Sequence, residues 1–333
     1  MLHSGRCARL RAALTSLPYS GDSGEFVTRL SHAIIFANRQ AGGGKPVKLL
    51  SQCEQVFRQT GVAADIRITA SLGDLEDQAL KAIASGAKLL FAAGGDGTLQ
   101  GLVNAAFGHD VVLGIVPAGG GNDFARALGL PRNPMEALRA ALQGQPQEVD
   151  LARVRFGDGR QRLFLCGGGI GLDADAAKFS GGAFRNWPGR TRYIASAICA
   201  YARYRPGRVR IDIDSEGSVP SWQVCVLASV LNTPTFGAGI RLSPGARIND
   251  GLLDFVFLGE LPVGRLLFAL PQLALRGTLN LPNLRAVRFR RMCIETETTA
   301  YFHGDGELLG PTPIDIEVVP KAARFLAPKP KES

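Results

Sequence analysis

FAAGGDGTLQ (91–100) and GIVPAGGGNDFARALGLP (114–131) each set several glycines around one aspartate, directly after an apolar run. In each, the apolar run reads as a strand and the residues after the aspartate as a helix. Strands alternating with helices argue a parallel sheet, and ligands of such sheets sit beyond the carboxyl ends of the strands. In GGDGT, Gly94, Gly95 and Gly97 free the backbone to approach a phosphate, and Thr98 opens a helix whose N-terminus favours an anion. The second stretch repeats the arrangement with Gly119, Gly120 and Gly121 ahead of Asn122 and Asp123. Loops on neighbouring strands would bring Asp96 and Asp123 together at one sheet edge. One carboxylate from each suits Mg²⁺, which takes few carboxylates beside water and phosphate oxygens. Each residue also has a plainer reading: Asp-Gly is a common turn, and Asp123 could simply cap its helix.

The alternation extends on both sides. HAIIFAN (32–38), ADIRIT (64–69), AKLLFAA (87–93) and VVLGIVP (111–117) read as strands. Helical patterns cover 45–60, 73–85, 98–107, 123–128 and 135–142. These describe a doubly wound α/β nucleotide-binding domain over 31–149. After VDLARV most segments read as strands: 162–167, 208–214, 222–231, 252–258, 285–296 and 314–320. Helical stretches are expected around 190–204 and 262–276. The second domain, 150–327, is therefore expected to be a β-rich sandwich. Residues 328–333 form a tail. Residues 1–30, arginine-rich and without an acid before Asp22, read as a flexible extension, a transit-like segment or sequence upstream of the true start.

The chain has 333 residues, is 46% hydrophobic and 20% charged, and carries a net charge of +9. Fourteen basic and twelve acidic residues lie in 1–149, against 24 and 17 in 150–333, so the excess belongs to the second half. Such an excess draws anionic surfaces, or forms a solvated face with no partner. No aromatic pattern or zinc-finger spacing points to nucleic acid. Apolar runs such as 194–202 and 266–275 are too short to span a bilayer. The scattered cysteines, Cys7, Cys53, Cys166, Cys199, Cys225 and Cys293, argue against a zinc site or a disulfide framework and fit a reducing cytoplasm. NRQAGGGK (38–45) is no Walker A loop, because Pro46 follows the lysine.

GGDGT, the segment PxGxGNDFARxLGLP from Pro117 to Pro131, VDL (149–151), NDGLLD (249–254) and DGE (305–307) together resemble the diacylglycerol kinase catalytic-domain family. More narrowly, they are similar to bacterial lipid kinases acting on diacylglycerol, phosphatidylglycerol or sphingoid lipids. The resemblance covers about 32–327 and implies an ATP- and Mg²⁺-dependent kinase for a lipid hydroxyl. It implies nucleotide contacts from Asn38, Thr69, Gly94, Gly95, Asp96, Gly97, Thr98, Gly120 and Asn122. Asp96, Asp123 and Asp150 match aspartates linked through water to Mg²⁺, and Glu307 matches a base for the lipid hydroxyl, so that Asp96 and Glu307 are the implied catalytic pair. A second cation, Mg²⁺ or Ca²⁺, is implied at the Asp250 carboxylate and the carbonyls of Arg247 and Leu252; a plain Asp-Gly turn is the alternative.

Ala41, Gln100, Gly101 and Gly120 depart from the family pattern and leave open a catalytically weakened regulator that binds lipid or nucleotide. GGDGT alone leaves open an NAD kinase-like activity. Glu307 and His303 also read as ordinary turn and strand-end residues. The implied partners are ATP and a lipid at an anionic membrane face, with a homodimer as an option and no nucleic acid. The implied place is the cytoplasm, peripherally on the membrane.

Overall fold

The computed structural model describes residues 32–39, 44–172, 174, 196, 199, 207–214, 219–237, 239–260 and 284–329. They divide into two compact units, one of Leu151–Pro320 and the other of the residues up to Asp150 together with Lys321 onward. The chain re-enters the first unit at Lys321.

The first unit runs β1 (His32–Asn38), α1 (Lys45–Lys48), α2 (Leu50–Gln59), β2 (Ala63–Thr69), α3 (Leu72–Ala84), β3 (Leu89–Gly94), α4 (Asp96–Ala106), β4 (Val112–Pro117), α5 (Asp123–Ala127) and α6 (Pro134–Leu142). Its strands lie parallel in the order β2-β1-β3-β4. Every residue of β3 and β4 is buried, which is why LLFAAG and VLGIVP read as continuous apolar runs instead of alternating. Gly114 leaves room for Phe91, whose ring would lie 2.1 Å from a Cβ there. Phe91 in turn meets Phe57 of α2 edge-on, with centroids 5.2 Å apart. Ser71 caps α3 by accepting the Asp74 N–H at 3.1 Å, while the Asp74 carboxylate accepts the Ala70 N–H at 2.7 Å. Asn133 caps α6, with Pro134 following it. The single helix read over 45–60 is two, separated at Leu49.

The second unit is built from β5 (Gln145–Phe156), β6 (Gln161–Phe164), β7 (Gly167–Gly171), β8 (Gly207–Ile213), β9 (Val219–Cys225), β10 (Leu227–Leu231), β11 (Leu253–Leu258), β12 (Leu284–Phe289), β13 (Arg291–Thr296), β14 (Tyr301–Gly304), β15 (Glu307–Pro311) and β16 (Ile314–Ala327). Strands β5 and β16 contribute residues to both units. One layer is β12-β11-β10-β7-β14-β15 and the other β16-β13-β8-β9, both antiparallel within this unit. Phe156, Phe164, Ile211, Phe255, Ile294 and Phe302 belong to the core. At about 1.5–3 kcal/mol per large apolar side chain, such burial is the main favourable term.

The stretches around 190–204 and 262–276 lie outside the described residues, except for helical Ser196 and Cys199. No helix among the described residues is long and apolar enough to cross a membrane. Cys53, Cys166 and Cys225 are buried free thiols, and burial pushes Cys53 up to about 11. Cys293 departs from the reading of scattered thiols: it is disulfide-bonded.

Candidate functional site

The first unit places its sequence-marked residues at the carboxyl ends of adjacent strands. Asn38 and Thr69, the last residues of β1 and β2, are paired in register, and both are buried. The next two strands, β3 and β4, end at Gly94 and Pro117, also in register. The Gly94 carbonyl then accepts the N–H groups of Ala118 at 2.9 Å and Gly119 at 3.1 Å, which holds one glycine loop against the other. A Cβ on Gly119 would lie 2.4 Å from the Gly95 Cα, and one on Gly94 would lie 2.4 Å from the Thr98 Oγ1. These glycines are needed because the two loops touch through their backbones and the Thr98 side chain of α4 packs directly on Gly94.

Asp96 joins the loops a second time. Its carboxylate accepts the N–H of Asp123 at 3.1 Å and of Phe124 at 3.2 Å, so an acid on α4 caps the N-terminus of α5. Charge-assisted bonds of this type contribute about 1.5–3 kcal/mol each. Asn122, in the left-handed region at φ 55°, turns its carboxamide back on Gly119: Oδ1 accepts the Gly119 N–H and Nδ2 donates to the Gly119 carbonyl, each at 3.0 Å. Arg126 was not assigned a role from the sequence. It pairs with the buried Asp123 carboxylate and donates to the Gly121 carbonyl at 3.1 Å. The i, i+3 spacing from Asp123 is the signal that could have found it.

Asp150 is buried, and its Oδ1 accepts the Lys321 N–H at 2.8 Å, where the returning chain takes φ 50°. Asp96 and Asp123 therefore meet through the start of α5, while Asp150 is held by β16. Among the described residues no group of three or more His, Cys, Asp or Glu side chains converges to hold a metal ion.

Gln100 and Gly101 both lie on the buried side of α4. Gln100 is buried, and a Cβ on Gly101 would lie 3.4 Å from Leu72 and 3.6 Å from Leu75. Gly101 faces α3, and a Cβ there would make ordinary van der Waals contacts, so the packing does not require glycine. Ala41 lies outside the described residues, and nothing in the structure explains Gly120.

In the second unit, β14 turns into β15 through Asp305 and Gly306, both at positive φ, with Gly304 and Glu307 paired across the turn. This is the tight hairpin that Asp-Gly favours. The Asp305 carboxylate is buried and accepts three backbone N–H groups: Leu165 and Cys166 at 2.8 Å, and Gly167 at 3.3 Å. Its own N–H donates to the Gly167 carbonyl at 2.8 Å. Glu307 therefore leaves a rigidly held turn. Its side chain is open to solvent, but protein packed beside it strips enough hydration to raise the carboxyl above the ordinary glutamate value. His303 is fully buried between the rings of Phe302 and Phe236 and belongs to the core.

At NDGLLD, Gly251 takes φ 72° and the Asp250 Oδ1 accepts the Leu252 N–H at 3.2 Å. Arg288 of β12 faces this loop. Its Nη2 donates to the Gly245 carbonyl at 2.9 Å, Nη1 lies 3.8 Å from the Asp250 Oδ2, and Nε lies 3.8 Å from the Asp254 Oδ1. Ser243 Oγ donates to the same Asp254 oxygen at 2.9 Å. Burial, with some help from the Asp250 charge, raises the Asp254 carboxyl against the opposing effects of Ser243 and Arg288.

Residues 32–154 match the family described as the diacylglycerol kinase catalytic domain, and 169–327 match the YegS C-terminal NAD kinase beta sandwich-like domain. The chain is 28% identical over 297 residues to a protein of Mycobacterium tuberculosis named "Diacylglycerol kinase", covering 88% of this chain and 94% of that one. It is 31% identical over 283 residues to "Probable lipid kinase YegS-like" of Stenotrophomonas maltophilia, covering 82% and 89%. The solved structure of a diacylglycerol kinase from Bacillus anthracis superposes with a TM-score of 0.67 at 22% identity, over 90% of this chain and 97% of that chain. At that identity the superposition speaks for the fold alone.

Proposed function

Because this chain belongs to the family of bacterial diacylglycerol kinases and YegS-like lipid kinases, and is a lipid kinase, we propose that it transfers the γ-phosphoryl group of ATP to a lipid hydroxyl. The observation that carries the reading is the Asp96 carboxylate seated on the first N–H groups of α5. It makes the two glycine loops one surface, and phosphoryl transfer depends on positioning and charge neutralisation more than on covalent help. Gly94, Gly95, Gly97, Thr98, Gly120 and Asn122 would line the phosphates, with Asn38 and Thr69 at the neighbouring strand ends.

Mg²⁺ would be held largely through water by the oxygen donors of Asp96, Asp123 and Asp150, since among the described residues no three such side chains converge to hold an ion directly. A carboxylate offers about four lone-pair sites, of which the two amide bonds to Asp96 use two. When bound, Mg²⁺ would supply neutralisation of the phosphate charge. Glu307 accepts the proton of the attacking hydroxyl. Lost hydration raises its carboxyl, which favours uptake of a proton, and it stands on a turn that Asp305 keeps in place.

The direct test supplies radiolabelled ATP and Mg²⁺ to purified protein with vesicles of diacylglycerol, phosphatidylglycerol or sphingoid base, with NAD as a separate acceptor. Label is expected in one lipid class, and Asp96→Asn should reduce it by about two orders of magnitude or more, as loss of a preorganised electrostatic contact does. Label in NAD alone, ATP binding without turnover, or equal activity of Asp96→Asn and wild type would each defeat the proposal.

A further inference from the structure

We propose that the guanidinium of Arg288 is the resident cation of the loop 243–254, filling the role that a second divalent ion was expected to fill at Arg247, Asp250 and Leu252. The loop directs two carboxylates and a carbonyl to one place, and a single guanidinium faces all three. Nη2 bonds the Gly245 carbonyl at 2.9 Å, while Nη1 and Nε stand 3.8 Å from Asp250 and Asp254. This position is fixed by the sheet: Arg288 of β12 lies opposite Asp254 of β11 in the antiparallel register. Opposite charges directly across such a pair are favourable, and a planar fork of donors suits several acceptors at once.

The Asp250 carboxylate is also engaged on its other side by the Leu252 N–H. A dication placed on Asp250 would stand next to the fixed positive charge of Arg288 and be repelled by it. A permanent side-chain charge also makes the loop independent of metal supply. None of this depends on the kinase reading, because the loop and both strands lie within the β-rich unit.

Thermal melting of the full chain without nucleotide tests the proposal. The wild-type melting temperature is expected to stay unchanged with a chelator, with Ca²⁺ or with Mg²⁺. Arg288→Met should melt lower by roughly 2–4 °C, and Arg288→Lys should recover part of that shift. A wild-type melting temperature that rises with Ca²⁺ or Mg²⁺, with the rise abolished by Asp250→Asn, would overturn it. So would an Arg288→Met protein that melts like wild type. Should Arg288→Met fail to fold, the double variant Asp250→Asn/Arg288→Met is decisive: folding of the double variant supports charge compensation, and its failure refutes it.

Discussion

Glu307 and Asp305 stand two residues apart and do opposite work. Asp305 turns inward and spends its charge on three backbone N–H groups, whereas Glu307 points to solvent with its carboxyl raised by lost hydration. If Glu307 is the base, it acts only when ionised, so transfer falls as pH drops through its raised pKa. The acid limb of the rate profile is then expected above the ordinary carboxylate range. Glu307→Gln should lose about 10²–10⁴-fold in rate, and its remaining activity should lack that limb. An unchanged limb in the Glu307→Gln profile would assign the titration to another group. Neither role was separable from DGE alone, since the partners of Asp305 are main-chain groups about 140 residues earlier and nothing in their side chains announces them.

At the scale of elements, the two glycine loops form one unit because their backbones touch. Gly119→Ala puts a methyl 2.4 Å from the Gly95 Cα, and backbone cannot swing aside as a side-chain tip can. Overpacking of this kind costs about 1–3 kcal/mol. Chemical denaturation should show that loss, together with weaker ATP binding; wild-type stability in Gly119→Ala would mean that the loops separate easily. The closeness of Asp96 to α5 was legible in the sequence, because two strand–glycine–acid–helix patterns in succession predict neighbouring loops. Their linkage was not legible, because Asp96 is answered by amides that any residues at 123 and 124 would offer. Gly101, by contrast, departs from the family pattern at a position that faces α3.

Across the whole molecule, the alternation of strands and helices up to residue 142 and the strand-rich pattern after 150 made both architectures legible. Periodicity could not show that the final strand re-enters the first unit, because a strand's pattern reports burial and not its neighbours. Charge was legible as a sum and as an excess in the second half, but its pairings were not. Arg210 pairs with Glu295 and lies over Trp222, Arg291 stands 3.7 Å from Glu317, and Arg288 faces Asp250 and Asp254. Several arginines of the basic stretches are therefore paired with acids within the protein. The net charge of +9 should still draw the protein to anionic vesicles, with binding that falls steeply as salt screens it. Co-sedimentation that is absent, or that ignores salt, would remove the electrostatic route to the membrane.

The Asp305 anchor also constrains how this sequence can change by descent. Its partners at Leu165 and Cys166 bind it through amides, so at those two buried positions the anchor itself asks nothing of the side chain, which answers to the core. Asp305 has no such liberty, and Gly168 has little, since a Cβ there would lie 2.3 Å from the His303 carbonyl. Descendants of this chain should keep the acid and the glycine while the letters between the anchor points are rewritten.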